Sequence, residues 1–433
     1  MTGPFRFLTR LRSATLCGVL GFATALELAG GWGGVVQAGD WPQILGPHRN
    51  GTADDERLPD RWPAQGPAVL WRAPLGQGYA GPAIVGQRVL AFHRVGAAER
   101  LECFDLATGK SQWKAEFACD YRGGIDPDSG PRCVPVVAGQ RVLAFGVGGD
   151  LHCVSLADGR PQWSRSLYAD FQGDEGYFGA GSTPLVVGSR VLVNVGGRPN
   201  GGLAAFSLET GETLWQTGAD AASYSAPTLA RVGDRDLAVF VTRLHCVAVE
   251  PETGKEVFRF SFGKRGPTVN AATPLVVDQH LFLSASYGIG AVAKRWTGGE
   301  PTDEWANDET LSSQYATAAP WGKYLFGSHG REDIGRADFR CIELATGKVA
   351  WNRPEFGVAH VIRAGDKLLV VGIDGQATLA RASAEKFEPL STARLTQEAA
   401  RALPALAHGR LVLRTNQRGG PGELLCVDVA AGE

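Results

Sequence analysis

Oxygen and sulfur ligands cluster at three places in this chain, and each grouping names a chemistry. Asp126-Pro-Asp128-Ser-Gly130 gathers the hard oxygen donors that calcium takes. The other positions of a complete calcium loop are missing, and a solvated acidic turn is the simpler account. His329-Gly-Arg-Glu332-Asp333 offers an imidazole and two carboxylates, but ligation requires converging side chains, which neighbours in one loop do not supply. Cys119 and Cys133 bracket a single loop in which an oxidising compartment would permit a disulfide; a bridge and two free thiols both remain open. Gly288-Ile-Gly-Ala-Val-Ala293 has the outline of a dinucleotide fingerprint, yet turn-rich Lys-Arg-Trp-Thr-Gly-Gly follows it, so no helix terminus stands ready for a phosphate. Asn50-Gly-Thr52 matches a glycosylation sequon and reads more simply as a turn. No nucleophile with its base, acid-base pair or complete metal motif emerges.

The elements that would position any site announce themselves through a repeat. Asp105-Leu-Ala-Thr-Gly109-Lys-Ser-Gln-Trp113 returns as Ser155-Leu-Ala-Asp-Gly159-Arg-Pro-Gln-Trp163 and Ser207-Leu-Glu-Thr-Gly211-Glu-Thr-Leu-Trp215. It recurs as Glu250-Pro-Glu-Thr-Gly254-Lys-Glu-Val-Phe258 and Glu343-Leu-Ala-Thr-Gly347-Lys-Val-Ala-Trp351. A spacing of roughly 40 to 50 residues is the period of a β-propeller blade. Each copy closes a unit of four short β-type runs separated by turn residues, the pattern of an antiparallel meander. Within the phrase, glycine takes the positive φ of the turn, and the aromatic four residues later falls on the outermost strand. Packed on the neighbouring blade, such a ring buries about 150 to 250 Å².

The residue six before each glycine is small, as at Cys103, Cys153, Ala205, Ala248, Cys341 and Cys426, which suits a sheet face pressed against its neighbour. Cysteines at one position of different blades are too far apart to pair, so these, with Cys246, read as buried small hydrophobes. Residues 274–298 form a degenerate fifth unit with Trp305 displaced by an insertion. Residues 361–395 form a seventh without the phrase. An eighth begins at Pro404 and stops where its fourth strand should start, and Val69-Leu-Trp71-Arg-Ala-Pro-Leu75 resembles the missing strand. The expectation is an all-β, eight-bladed propeller over residues 69–433, seven blades being the alternative, with the ring closed by an N-terminal strand. Trp71, Trp113, Trp163, Trp215, Phe258 and Trp351 are the expected blade-docking residues.

Ahead of it, Arg6, Arg10 and Arg12 precede an apolar run from Ala14 to Leu26, and Val36-Gln-Ala38 offers a cleavage site, so residues 1–38 read as a signal peptide. Residues 39–68 are then an N-terminal extension, and the chain is expected to be exported, periplasmic or extracellular. Cys17 follows Leu16 rather than a small residue, which argues against lipid attachment there. With 58 glycines, 24 prolines and one methionine, the composition suits strands and tight turns. A net charge of −2 without a clustered basic face gives no case for nucleic acid, and no later stretch has membrane-spanning length.

The phrase, with its small residue, Thr-Gly and Trp, resembles the tryptophan-docking motif of the pyrroloquinoline-quinone (PQQ)-type propeller repeat. Trp41-Pro-Gln-Ile-Leu-Gly46-Pro-His-Arg-Asn-Gly51, Leu70-Trp71 and Gly78-Tyr-Ala-Gly-Pro82 resemble the mature start of exported bacterial members. The resemblance implies one of two branches. Quinoprotein dehydrogenases hold PQQ with calcium in the central funnel, commonly under a disulfide between adjacent cysteines; this chain has no Cys-Cys pair, and none of that branch's calcium ligands or catalytic acid finds a matching motif. The other branch comprises non-catalytic propellers related to the outer-membrane-barrel assembly propeller, whose plain repeats this chain follows more closely. The leading expectation is a non-enzymatic exported scaffold binding a protein or other ligand through its loop face or channel, with no cofactor. A quinoprotein oxidoreductase using PQQ and calcium is one alternative and a carbohydrate-binding propeller another. Tyr79, Tyr224 and Tyr315, with Asn270, stand shortly before the innermost strands and are the candidate channel-mouth residues for a peptide, glycan or small ligand.

Overall fold

The computed structural model describes residues 1, 3, 39–417 and 419–430. The signal-peptide reading of residues 1–38 falls, those first two positions aside, outside the described residues. The chain divides into two units, 1–32 and 33–433, and every element below belongs to the second.

Short β-branched runs broken by glycine turns fold into eight four-stranded antiparallel sheets, so the count is eight blades. The first strand, β1, is Val69–Leu75. Blade 1 follows as β2 Ala83–Val85, β3 Arg88–Val95, β4 Ala98–Asp105 and β5 Ser111–Ala118, ordered from innermost to outermost. Blades 2 to 7 repeat that order over 136–166, 185–217, 228–261, 275–307, 319–353 and 359–394. Blade 8 takes three strands from 405–428, and β1 pairs with the last of them as the fourth. Joining the two ends of the chain in one sheet leaves the ring no free edge between its last and first blades.

Register explains the small residue of the repeat. Trp113 lies directly across from Cys103, Trp163 from Cys153, Trp215 from Ala205, Phe258 from Ala248, Trp351 from Cys341 and Trp71 from Cys426. A bulky neighbour there would contest the space of the indole. Each ring then crosses to the next blade. Trp71 donates its indole N–H to Leu106 O at 2.8 Å, Trp113 to Leu156 O at 3.1 Å and Trp163 to Leu208 O at 3.1 Å. The acceptor stands three residues before that blade's turn glycine. A Cβ on Gly109 would lie 2.5 Å from Trp71, and one on Gly159 would lie 2.4 Å from Trp113. The glycine therefore serves the turn of its own blade and the ring of the preceding one.

Two blades depart from this pattern, each with a compensation. In blade 5 the turn is enlarged, and its fully buried Trp296 meets Phe258 edge-on at 5.0 Å. Trp305, displaced in sequence, still reaches blade 6 through an N–H bond to Leu344 O at 2.7 Å. Blade 7 has Leu379 across from Ser391, large and small exchanged. Its neighbour, blade 8, builds its last two strands from opposite ends of the chain, so it has no Thr-Gly turn on which a blade 7 tryptophan could dock. Buried Trp62 joins the core cluster of Leu379 and Leu411 there, and Gly66 abuts Ala393.

Residues 39–68 are thus part of the ring. Trp41 exchanges both backbone hydrogen bonds with Ile84 at 2.8 Å, and Pro42 O accepts from Val137 N–H at 2.8 Å. Ala53 N–H bonds Arg363 O, and Glu56 accepts the N–H groups of His408 and Gly409. Arg49, buried, donates to Gln43 Oε1, Pro184 O and Thr183 O at 2.8 to 2.9 Å. One segment so ties blades 1, 2, 3, 7 and 8 across the channel. Asn50 accepts from Thr52, the turn expected there.

Candidate functional site

Strand direction separates the two faces of the ring. Within blades 1 to 7 the turn between the third and fourth strands, Thr-Gly in most copies, lies on the face where the innermost strand ends. The loops between blades and the hairpins between second and third strands lie on the opposite face. Copies of the repeat agree on the first face and diverge on the second. On the second, the loops that lead into the innermost strands surround a cavity of about 220 Å³. Every blade contributes to it: Tyr79, Arg132, Phe178 and Tyr224 from blades 1 to 4, then Ala271, Tyr315, His360 and Arg401 from blades 5 to 8. Ile44 lines it too, and the segment that carries Ile44 bonds the inner strands of blades 1, 2 and 7 and the entry to that of blade 3, so this segment forms part of the funnel's floor.

The three candidate tyrosines meet in this funnel, and Asn270 does not. Asn270 is buried and donates to Thr242 O at 3.0 Å and Phe262 O at 3.2 Å, tying a loop between blades 4 and 5. Its neighbours Val269 and Ala271 line the cavity instead. Tyr224 Oη accepts the N–H groups of Tyr177 and Phe178 at 3.0 and 2.9 Å, which pins the loop of blade 3. Tyr315 donates to Glu332 at 2.9 Å and Tyr79 to Asp126 at 3.3 Å. Tyr79 and Tyr315 spend their O–H donors on carboxylates, so those two offer a ligand mainly ring surface, whereas Tyr224 uses only its acceptor lone pairs and keeps its O–H donor. Burial raises all three phenol pKa values, so the rings stay neutral.

Two cations that residue spacing did not reveal complete the wall. Arg401 lies 4.9 Å from the Tyr79 ring and 5.7 Å from that of Tyr315, with Glu332 at 2.9 Å and Asp126 at 3.9 Å. Arg132 stands 5.6 Å from Tyr79 and 6.0 Å from Phe178. It donates to the carbonyls of Gly130 and Asp128, and no carboxylate of the described residues pairs with it. His360 donates from Nε2 to Arg401 O at 2.9 Å, which leaves Nδ1 a buried acceptor without a partner. Burial depresses its pKa to about 4, so the imidazole is neutral at pH 7.

The other sequence candidates resolve into structure. Cys119 and Cys133 are free, buried thiols in separate clusters, not a disulfide: Cys119 packs with Tyr121 and Val147, Cys133 with Val136 and Leu143. Asp128 is no solvated acid, being buried to accept the N–H groups of Gly78 and Gly130. His329 Nδ1 accepts from Ser312 N–H, Glu332 turns to Tyr315 and Asp333 pairs with Arg331, so this trio diverges. Among the described residues no three His, Cys, Asp or Glu side chains converge as metal ligands, and no helix is long and apolar enough to cross a membrane.

Fold and site together define a class: a closed, tryptophan-docked, eight-bladed propeller with a funnel at its variable face. The family model described as outer membrane protein assembly factor BamB matches residues 97–353, and the chain belongs to that PQQ-like propeller family. No curated protein is matched by sequence. Among solved structures, BamB from Moraxella catarrhalis is similar at a TM-score of 0.58 and 17% identity, over 83% of this chain and 97% of that one. A europium-containing methanol dehydrogenase aligns at 0.67 and 11% identity, over 90% and 98%. Quinohemoprotein alcohol dehydrogenase from Comamonas testosteroni aligns at 0.62 and 13%, over 92% and 82%. Identities this low carry the fold alone.

Proposed function

We propose that this chain is an exported, non-enzymatic propeller that binds a protein partner through its funnel face. The observation that carries this reading is the contrast between the faces. Loops that differ from blade to blade converge on one aromatic, cationic funnel, while the repeated turns serve docking on the other side. The family match to an assembly factor supports it.

A quinone held with calcium, raised by the resemblance to dehydrogenases, would require several oxygen ligands around one point. Asp126 and Glu332, the funnel carboxylates, instead flank the Arg401 guanidinium. A fixed cation beside both opposes a second one, so the residues present do not fit the pair.

Photo-crosslinking in the producing cell tests the reading. A crosslinker at position 125, on the funnel face, is expected to capture a partner, and one at position 87, on the turn face, is not. Capture from position 87 alone, or from neither, overturns it. Dye-linked alcohol oxidation by protein loaded with PQQ and calcium would overturn the non-enzymatic part.

A further inference from the structure

The funnel has features that specify how a protein would enter it. Its volume, about 220 Å³, admits an amino-acid side chain or two, not a folded domain. The Ile44 segment, bonded to the inner strands of blades 1, 2 and 7, occupies channel space that a threading chain would need, an arrangement that favours entry by a chain end. Arg132 on the wall retains spare N–H donors and no carboxylate partner among the described residues, an arrangement suited to an anion. Around it stand the rings of Tyr79 and Tyr224, with Phe178 beside them.

The rim supplies the remaining constraint. Ile125, next to funnel-lining Asp126, is 69% exposed, and Ile334, two residues beyond Glu332, is 57% exposed. Both belong to loops of the funnel face whose carboxylates reach Arg401, so two exposed apolar side chains stand on the loops that bound the funnel. A free small acid would leave them wet, whereas a chain descending into the funnel would pack on them.

Resting on the partner-binding reading above, we propose that the funnel receives the carboxy terminus of a partner polypeptide. The terminal carboxylate lies on Arg132, the last side chain, apolar or aromatic, packs among Tyr79, Phe178 and Tyr224, and the preceding residues cross the rim at Ile125 and Ile334. Charge complementarity selects the carboxylate, and with it a chain end over an internal segment.

The probe is a fluorescein-labelled hexapeptide ending in phenylalanine, made as the free acid and as the carboxamide, with binding read by fluorescence anisotropy. Wild-type protein is expected to bind the acid about tenfold tighter than the amide, the scale of one charge-assisted hydrogen bond. Arg132→Gln should abolish that preference and Arg132→Lys restore part of it, with melting temperatures confirming that both variants fold. Ile125→Asp should weaken the hexapeptide severalfold while leaving phenylacetate, followed by calorimetry, unchanged. Equal binding of acid and amide overturns the inference, as does an Ile125→Asp effect on phenylacetate equal to that on the peptide. If crosslinking from position 125 succeeds while neither peptide binds, this inference falls and partner binding stands; failure of both removes both.

Discussion

The turn glycine of each blade that carries the repeated phrase answers to two constraints, and the second comes from a different blade. Gly159 has φ +72°, and its added Cβ would stand 2.4 Å from Trp113. Gly365, at φ +58° with nothing within 4 Å of a Cβ, carries only the conformational constraint. Gly159→Ala should therefore cost about 2–4 kcal/mol in urea denaturation and Gly365→Ala about 1 kcal/mol; equal losses would remove the inter-blade contribution. Glu99 makes a second prediction at this scale. Buried against the Val147 N–H at 2.9 Å, it has its pKa pushed up from 4.5 to about 7 by loss of solvent. The folded chain then keeps a proton that the unfolded chain has released. The contribution is complete below pH 4.5 and is lost as pH rises through about 7. Glu99→Gln should flatten that decline when stability is compared with wild type from pH 5 to 8. The docking tryptophans were legible in the chain because a local turn and its ring recur at fixed spacing. Glu99 was not, since its burial is created by residues distant in sequence.

At the scale of the element, the blade that lost its phrase reveals what the phrase is for. Leu379 and Ser391 exchange the usual sizes because blade 8, completed by β1 from the other end of the chain, has no turn glycine to receive a ring. Trp62 enters that interface from the N-terminal segment, and its indole N–H finds no acceptor there, unlike the docked tryptophans. Trp62→Ala should cost about 3–5 kcal/mol and raise hydrogen exchange first in residues 388–394 and 405–414. An effect confined to residues 39–68 would contradict that placement. The segment was read from the sequence as an N-terminal extension preceding the propeller. No periodicity marks it, because its partners are inner-strand ends of separate blades rather than a repeating neighbour.

At the scale of the whole molecule, closure joins eight similar sheets into one body and brings eight dissimilar loops to one point. Arg49 ties the floor to blade 3, so Arg49→Met leaves the Thr183 and Pro184 carbonyls without those bonds. It should lower the unfolding free energy by about 2–3 kcal/mol, with circular dichroism and tryptophan fluorescence still coincident in one transition. Separate transitions would mean that the blades are not coupled through the ring. Blade number, the closing strand and the docking rings could all be derived from the residues alone, because each rests on contacts within a blade or between adjacent blades, and those repeat. Tyr79, Tyr224 and Tyr315 were also visible by their shared place before an inner strand. Arg132, Arg401, His360 and the Ile44 floor were decided only by tertiary structure. They stand at unrelated points of the chain, and only the circular arrangement of the blades brings them together around the axis.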